Sequence, residues 1–157
     1  MKQANDRAGY VKFSLDIFGA IHEPYRETFE SMLSDFPPFI RYCGIVDFRS
    51  SSAVLKDYFA MLFPTFYKSE GYPNAVVDAF AAGLPVVATR WNYNEDIIRD
   101  HCDGILVDVA DVAQIVDAME ELSGSDGKYE QMRRNCLARC KEYLPEYAIQ
   151  KVIKNLK

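Results

Sequence analysis

Phe63-Pro64-Thr65-Phe66-Tyr67-Lys68-Ser69-Glu70-Gly71-Tyr72-Pro73-Asn74 is the stretch on which the reading of this chain turns. Ala60 to Phe63 is a continuous apolar run closed by a proline, as a buried parallel strand should be. A polar loop with one acid, Glu70, and one glycine, Gly71, follows. A helix is expected from Pro73, since proline suits the first helical position, and a second acid, Asp78, sits in its opening turns. Gly83 supplies its C-terminal stop. This layout puts free backbone N–H groups and the positive end of a helix dipole at a strand's carboxyl end, flanked by two carboxylates. Amides suit a phosphate, and carboxylates accept hydrogen bonds from hydroxyls. A ligand carrying a diphosphate and sugar hydroxyls satisfies the whole arrangement.

Outward from that loop the pattern alternates strand and helix, which argues an α/β fold: a parallel sheet of about five strands with helices on both faces. Val11 to Phe18 reads as a strand ending at Gly19, and Pro24 to Ser34 as a helix with Tyr25, Phe29, Met32 and Leu33 on one face. Phe39 to Cys43 is a short strand closed by Gly44. Ser50, Ser51 and Ser52 offer caps for a helix to about Tyr58. Pro85–Thr89 and Gly104–Val107 read as two more buried strands. Asn92 or Asn94 can cap a brief helix reaching Asp100, and Asp108 or Asp111 a longer one carrying Val112, Ile115, Val116, Met119 and Leu122. Ser123 to Gly127 reads as a loop, and 128–157 as C-terminal helices broken near Pro145. In Val11–Phe18, Lys12, Ser14 and Asp16 alternate with apolar residues, so one face of this strand lacks the apolar character of a covered central strand.

The 157 residues suit one domain of ordinary size, and 49% apolar with 26% charged residues is normal for a soluble protein. A net charge of −5 argues against nucleic acid or anionic lipid as main partner, since both favour a basic face. No apolar run approaches the roughly 20 residues that span a bilayer, and Met1 onward shows no apolar signal region, so the cytosol is the expected compartment. Tyr129, Met132, Cys136, Cys140 and Tyr143 form an apolar stripe at helical spacing, so Cys136 and Cys140 read as core residues, not metal ligands. Cys43 and Cys102 read the same way, and His101 reads as part of a surface turn with Asp100 and Asp103. No zinc spacing, Walker loop or Ser-His-Asp pattern is present, and no metal or cofactor is expected.

The run from Pro64 to Asn74, with its continuation Ala79-Phe80-Ala81-Ala82-Gly83-Leu84-Pro85-Val86-Val87-Ala88-Thr89, resembles the donor-binding segment of retaining glycosyltransferases of family four, with the glycosyltransferase-B fold. That family carries two glutamates here; Glu70 keeps the first place and Asp78 takes the second, one methylene shorter. The resemblance implies a Rossmann-like donor domain, half of a glycosyltransferase-B fold. It implies that Glu70 binds hydroxyls of the donor sugar and is the catalytic residue, that Asp78 binds the nucleotide's ribose, and that Ser69, Gly71, Tyr72, Pro73 and Asn74 line the diphosphate. Proline has no N–H, so Gly71, Tyr72 and Asn74 are the amide donors there. Gly19 opens a second loop, expected to meet the first at the switch point of the sheet.

Each residue also has a plainer reading. Glu70 can be a solvated loop acid, and Asp78 can merely complement the helix dipole. Gly71 and Gly83 can be turn and cap alone. Trp91 and Tyr93 in Trp91-Asn92-Tyr93-Asn94-Glu95 can stack on a base or sugar, or cap the core. Arg90 can neutralise phosphate, or pair with Asp96 or Asp100.

The family's donor domain opens with an extra strand and a loop carrying Gly-Arg and Lys-Gly, followed by a helix. Met1 to Gly9 resembles only the end of that helix, so the resemblance implies a piece of a longer enzyme without its N-terminal acceptor domain. The intact enzyme is expected to move a sugar from a nucleotide-diphosphate donor to a saccharide or lipid-linked hydroxyl acceptor, in the cytosol or at the inner face of the membrane. Tyr147, Ile149, Val152, Ile153 and Leu156 would then lack a partner, which predicts self-association. The alternative is a non-catalytic nucleotide-binding or interaction module with the flavodoxin-like strand order 2-1-3-4-5.

Overall fold

The computed structural model describes residues 1–155, without the side chains at 148, 150–152 and 155. Leu156 and the side chain of Val152, both expected on the unpartnered apolar face, lie outside what is described. The chain divides into two compact units, Met1–Ser50 and Ser51–Lys157.

The first unit opens with α1 (Lys2–Ala8), stopped by Gly9 in the left-handed region at φ 76°, where its N–H reaches the Asn5 and Asp6 carbonyls. Strand β1 (Leu15–Phe18) pairs in parallel with β2 (Ile40–Gly44), with Leu15 opposite Ile40 and Ile17 opposite Tyr42. A 3-10 turn and α2 (Arg26–Leu33) connect them, with Phe29 edge-on to Tyr42 at 5.2 Å. The polar face of β1 finds its answer across the ladder. Asp16 accepts from both Nε (2.8 Å) and Nη2 (2.7 Å) of Arg41 in a bidentate pair. The strand begins four residues later than its alternation suggests. Buried Asn5 is the reason: its Oδ1 accepts from the N–H groups of Lys12 (3.0 Å) and Phe13 (2.8 Å), and its Nδ2 donates to the Phe13 carbonyl at 2.9 Å. A side chain has taken the backbone groups that a ladder would need. Cys43, expected in the core, is exposed, because alternate residues of β2 point outward.

The second unit runs α3 (Ser51–Leu55), β3 (Met61–Phe63), α4 (Asn74–Ala81), β4 (Val86–Thr89), α5 (Asn94–Ile97), β5 (Gly104–Val107), α6 (Val112–Ser123), α7 (Asp126–Cys140), a 3-10 turn and α8 (Pro145–Asn155). Its three strands pair in parallel in the order β3-β4-β5. The order 2-1-3-4-5 of the alternative reading is not formed as one sheet: β1 and β2 make a two-stranded ladder, and β3, β4 and β5 a separate three-stranded one. The fold is α/β with parallel strands and intervening helices. Every residue of β4 and β5 is buried, as their unbroken apolar runs require.

Several local expectations give way to longer-range bonds. Pro73 is the N-cap of α4, one place before the helix proper. No asparagine side chain caps α5: Tyr93 occupies that position, and buried Asn94 instead donates to the Thr89 carbonyl at 2.9 Å. His101 is exposed in its turn, but Asp103 of the same turn is fully buried and accepts from the backbone N–H of Arg99 (2.7 Å) and its Nε (2.5 Å). Asp111 does cap α6, accepting from the N–H of Gln114. The loop after it shrinks to Gly124 and Ser125.

The core joins α4, β4, α5, β5 and α7 through Val76, Phe80, Val86, Ile97, Leu106 and Cys136. Helix α7 fits this core less by apolar area than by reach. Tyr129 donates to the Phe59 carbonyl at 2.7 Å and stacks on its ring, Arg133 donates to the Gly83 carbonyl at 3.1 Å, and Asn135 to that of Cys102 at 2.8 Å. Tyr147, Ile149 and Ile153 of α8 are exposed. No described helix is long and apolar enough to cross a membrane.

Candidate functional site

The candidate site grows from the carboxyl end of β3. The strand stops at Phe63 before a proline, and the chain then runs as an irregular loop to buried Pro73, where α4 begins. Proline supplies extended backbone (φ −78°, ψ 90°), and the first N–H groups of the helix behind it have no partner inside the helix. At its far end α4 closes in a Schellman turn: Gly83 at φ 67° donates to Phe80, and Leu84 reaches back to Ala79 at 2.8 Å. The helix is thus pinned at its C-terminus by Gly83 and through Val76, Ala79 and Phe80 in the core, which fixes where its N-terminus points.

Glu70 is half-buried. Its carboxylate accepts from the Thr65 hydroxyl at 3.1 Å, and that hydroxyl oxygen in turn accepts from the Tyr67 N–H at 3.3 Å. The Glu70 N–H closes a turn onto the Tyr67 carbonyl at 3.1 Å. A freely solvated loop acid would have none of these bonds. Ser69, Gly71 and Asn74 are exposed around it. Tyr72, 48% exposed, stands beside Tyr93 with ring centroids 6.4 Å apart and edge-on to Tyr143 at 6.1 Å. Burial, followed by the hydrogen bond that its hydroxyl makes to Tyr72, pushes the Tyr143 phenol above its ordinary pKa.

Asp78 lies one turn into α4, on its half-buried side. Its Oδ2 accepts from the Ser51 hydroxyl at 2.7 Å. Ser51 opens α3, so a serine expected as a helix cap instead holds the second acid. Burial, and then the charge of Asp78, pushes the Cys140 thiol above its ordinary pKa, which places this carboxylate near α7. Sequence reasoning missed both hydroxyl partners, Thr65 and Ser51. Thr65 is only five residues from Glu70, within the same loop, whereas nothing local marks Ser51, 27 residues from Asp78.

Gly19 belongs to the first unit. It has a φ of 143° open only to glycine, accepts from the Tyr42 hydroxyl at 2.7 Å, and lines a pocket of about 270 Å³ with Ile17, Phe18, Ile21 and Phe29. The remaining candidates, Ser69 to Asn74 and Asp78, lie together in the second unit.

Beyond β4, Arg90 pairs with Asp100 at 2.5 Å and with Glu95 at 3.4 Å. Burial raises the Asp100 carboxyl, but the Leu106 N–H, Arg90 and the neighbouring His101 together hold it below its ordinary value. Arg90 is therefore committed to two carboxylates. Among the described residues no group of three His, Cys, Asp or Glu side chains is arranged to hold a metal ion.

The sequence profile of the family described as glycosyl transferases group 1 matches residues 2–125. An Escherichia coli UDP-Gal:alpha-D-GlcNAc-diphosphoundecaprenol alpha-1,3-galactosyltransferase is 26% identical over 83 residues, covering 53% of this chain and 21% of its own length. Among solved structures, Anabaena HepE in complex with UDP and glucose superposes with a TM-score of 0.78 at 12% identity, over 91% of this chain and 40% of that one. A Staphylococcus aureus TarM variant in complex with fondaparinux, alpha-GlcNAc-glycerol and UDP gives 0.73 at 18% identity, over 98% of this chain and 30% of that one. At such identities the structures speak for the fold alone. The chain spans about a fifth of the E. coli relative (21%) and well under half of either structure (40% and 30%).

Proposed function

The chain belongs to the group 1 glycosyl transferases, and from that premise we propose that it binds the nucleotide-diphosphate sugar from which the enzyme transfers a sugar, with retention, to a hydroxyl acceptor. The observation that carries this reading is the pair of acids on either side of the α4 N-terminus, each already held by a hydroxyl: Glu70 by Thr65 and Asp78 by Ser51. Oxygens so oriented accept further hydrogen bonds, and a carboxylate has room for several. Between them the opening N–H groups of α4 and its dipole face whatever occupies the loop, and a diphosphate suits them.

In the proposed complex the diphosphate lies against Gly71, Tyr72 and Asn74, the ribose hydroxyls donate to Asp78, and the sugar hydroxyls donate to Glu70. Transfer breaks the bond between the anomeric carbon and the diphosphate oxygen and forms one to the acceptor oxygen. The acceptor's proton leaves with the diphosphate, and retention requires the new bond on the face that the diphosphate vacates. Helix amides stabilise the negative charge that grows on the leaving oxygens. The E. coli relative's name includes a UDP-sugar and a diphosphoundecaprenol-linked acceptor, and HepE and TarM are in complex with UDP. Uridine is therefore the base to try first, and saccharide or lipid-linked hydroxyls are the acceptor class.

Calorimetric titration of the chain with UDP, GDP and ADP tests the reading. One of them is expected to bind, and Asp78→Asn to weaken it by about ten- to a hundredfold, the worth of a charge-assisted hydrogen bond of roughly 1.5–3 kcal/mol. Absence of binding for all three, or an unchanged affinity in Asp78→Asn, would overturn it.

A further inference from the structure

Glu70 sits on a loop with little apolar surface to anchor it: Phe66 and Tyr67 are both mostly exposed. Something else must hold its backbone. Three bonds from the neighbouring strand end do so. The Thr89 hydroxyl donates to the Thr65 carbonyl, the Trp91 indole Nε1–H donates to the Tyr67 carbonyl at 2.9 Å, and the Asn92 amide donates to the Glu70 carbonyl at 3.3 Å. The rungs fall on carbonyls two and three residues apart, so they track the loop along its length. Their base is firm. Thr89 is the buried last residue of β4, and its own carbonyl is tied by buried Asn94 at 2.9 Å. The order β3-β4-β5 makes the loop after β4 the neighbour of the loop after β3. Asn92 reaches Glu70 from a left-handed backbone, φ 46°, which costs a non-glycine residue energy and persists only where its surroundings enforce it.

We propose that Thr89, Trp91 and Asn92 form a latch that positions Glu70 for the sugar end of the donor. The proposal rests on the donor-site reading above. It replaces both sequence-level roles of Trp91, stacking on a ligand or capping the core, with a third: the indole acts through its N–H, on a loop carbonyl. These are positioning residues, because none of their bonds reaches the donor itself. The latch makes a specific demand on the ligand. Loosening it weakens recognition of the sugar more than that of the nucleoside diphosphate, since Asn74 and Asp78, which hold part of the diphosphate and the ribose, lie in α4 beyond Pro73.

Two variants open the latch with little collateral change. Trp91→Phe keeps the ring and removes the donor. Asn92→Gly keeps the left-handed backbone and removes the amide. The first measurement is limited trypsin digestion after Lys68, exposed inside the loop. Cleavage there is expected to accelerate by about threefold to tenfold in each variant, the ratio one net hydrogen bond sets, with the melting temperature unchanged. The second is the ratio of affinities for UDP-glucose and UDP, read by calorimetry, in wild type, Asn92→Gly, Glu70→Gln and the double variant. The ratio is expected to shift against UDP-glucose by a similar factor in Asn92→Gly, and the double variant to look like Glu70→Gln alone, because a residue that acts through Glu70 has nothing left to do without it.

Unchanged cleavage after Lys68 overturns the latch whatever the nucleotides do. Faster cleavage with additive effects on affinity overturns the positioning role. If wild type binds neither UDP nor UDP-glucose, nor their guanosine and adenosine counterparts, the donor-site reading fails and the positioning role falls with it, while faster cleavage would still establish a loop latch. The chain's single tryptophan gives a direct view of the latch: its emission should move when UDP-glucose binds and stay still in Asn92→Gly.

Discussion

Gly104 shows how a single atom is excluded. A Cβ built there would press on the carbonyl oxygen of Val86 and come within 2.8 Å of Ile98 Cγ2. Neither neighbour can yield: Val86 pairs with Gly104 in the β4–β5 ladder, and Ile98 is buried in the core. Gly104→Ala is therefore expected to destabilise the protein by about 1–3 kcal/mol, the range for overpacking a filled core. Urea denaturation measures it, and a loss below about 0.5 kcal/mol, the scale of a surface substitution, would mean that β5 can slide away from β4. Glu70 makes the opposite point at the same scale. Its neighbours leave lone pairs open, as a binding residue needs and a packing residue does not.

At the scale of the element, α7 combines a weakly apolar sequence with a demanding set of bonds. Its buried Cys136 donates to the Asp103 carbonyl at 3.1 Å, and burial, then the nearby Asp103 charge, pushes the thiol up to about 12. In the unfolded chain a cysteine titrates near 8.5. Between these values the folded state keeps a proton that the unfolded state gives up, so stability falls as pH rises. The contribution is complete below about pH 8.5 and is lost as pH climbs toward about 12. Denaturation of wild type and Cys136→Ala across alkaline pH isolates it, because lysine and tyrosine titrations cancel in the difference. The wild-type curve is expected to fall more steeply, and parallel curves would refute the assignment. Exposed Cys43 is expected to react first with iodoacetamide at pH 8, and Cys136 last.

For the whole molecule, burial is unevenly shared. Among the described residues the buried apolar side chains lie in Ser51–Lys157, apart from Ala4. The first unit rests on Asn5, the Asp16–Arg41 pair and half-buried aromatics such as Phe29 and Tyr42. Local opening costs least where few apolar contacts must be broken. Amide hydrogen exchange followed by mass spectrometry is expected to show β4 and β5 slowest and Met1–Ser50 faster by more than tenfold. Equal protection of the two units would show that they open only together.

Continuous apolar runs bounded by proline or glycine made β3, β4 and β5 legible from the sequence to within a residue, and Gly83 marked the end of α4. Such signals are local: a buried strand must be apolar on both faces, and a left-handed stop needs glycine. The order of the motif around Glu70 and Asp78 was legible for the same reason, since strand, loop and helix follow one another along the chain. What holds those acids was not. Ser51 meets Asp78 from 27 residues away, Trp91 meets Tyr67 from 24 and Asn92 meets Glu70 from 22. Asn5 withdrew Val11–Ser14 from a strand that its alternation favoured, and Asp103, expected at the surface with His101, is buried in its turn against Arg99. A hydrogen bond between distant side chains leaves no period in the sequence. The Trp91 and Asn92 bonds exist only once parallel pairing has set β3 beside β4 and brought their two carboxyl-end loops together.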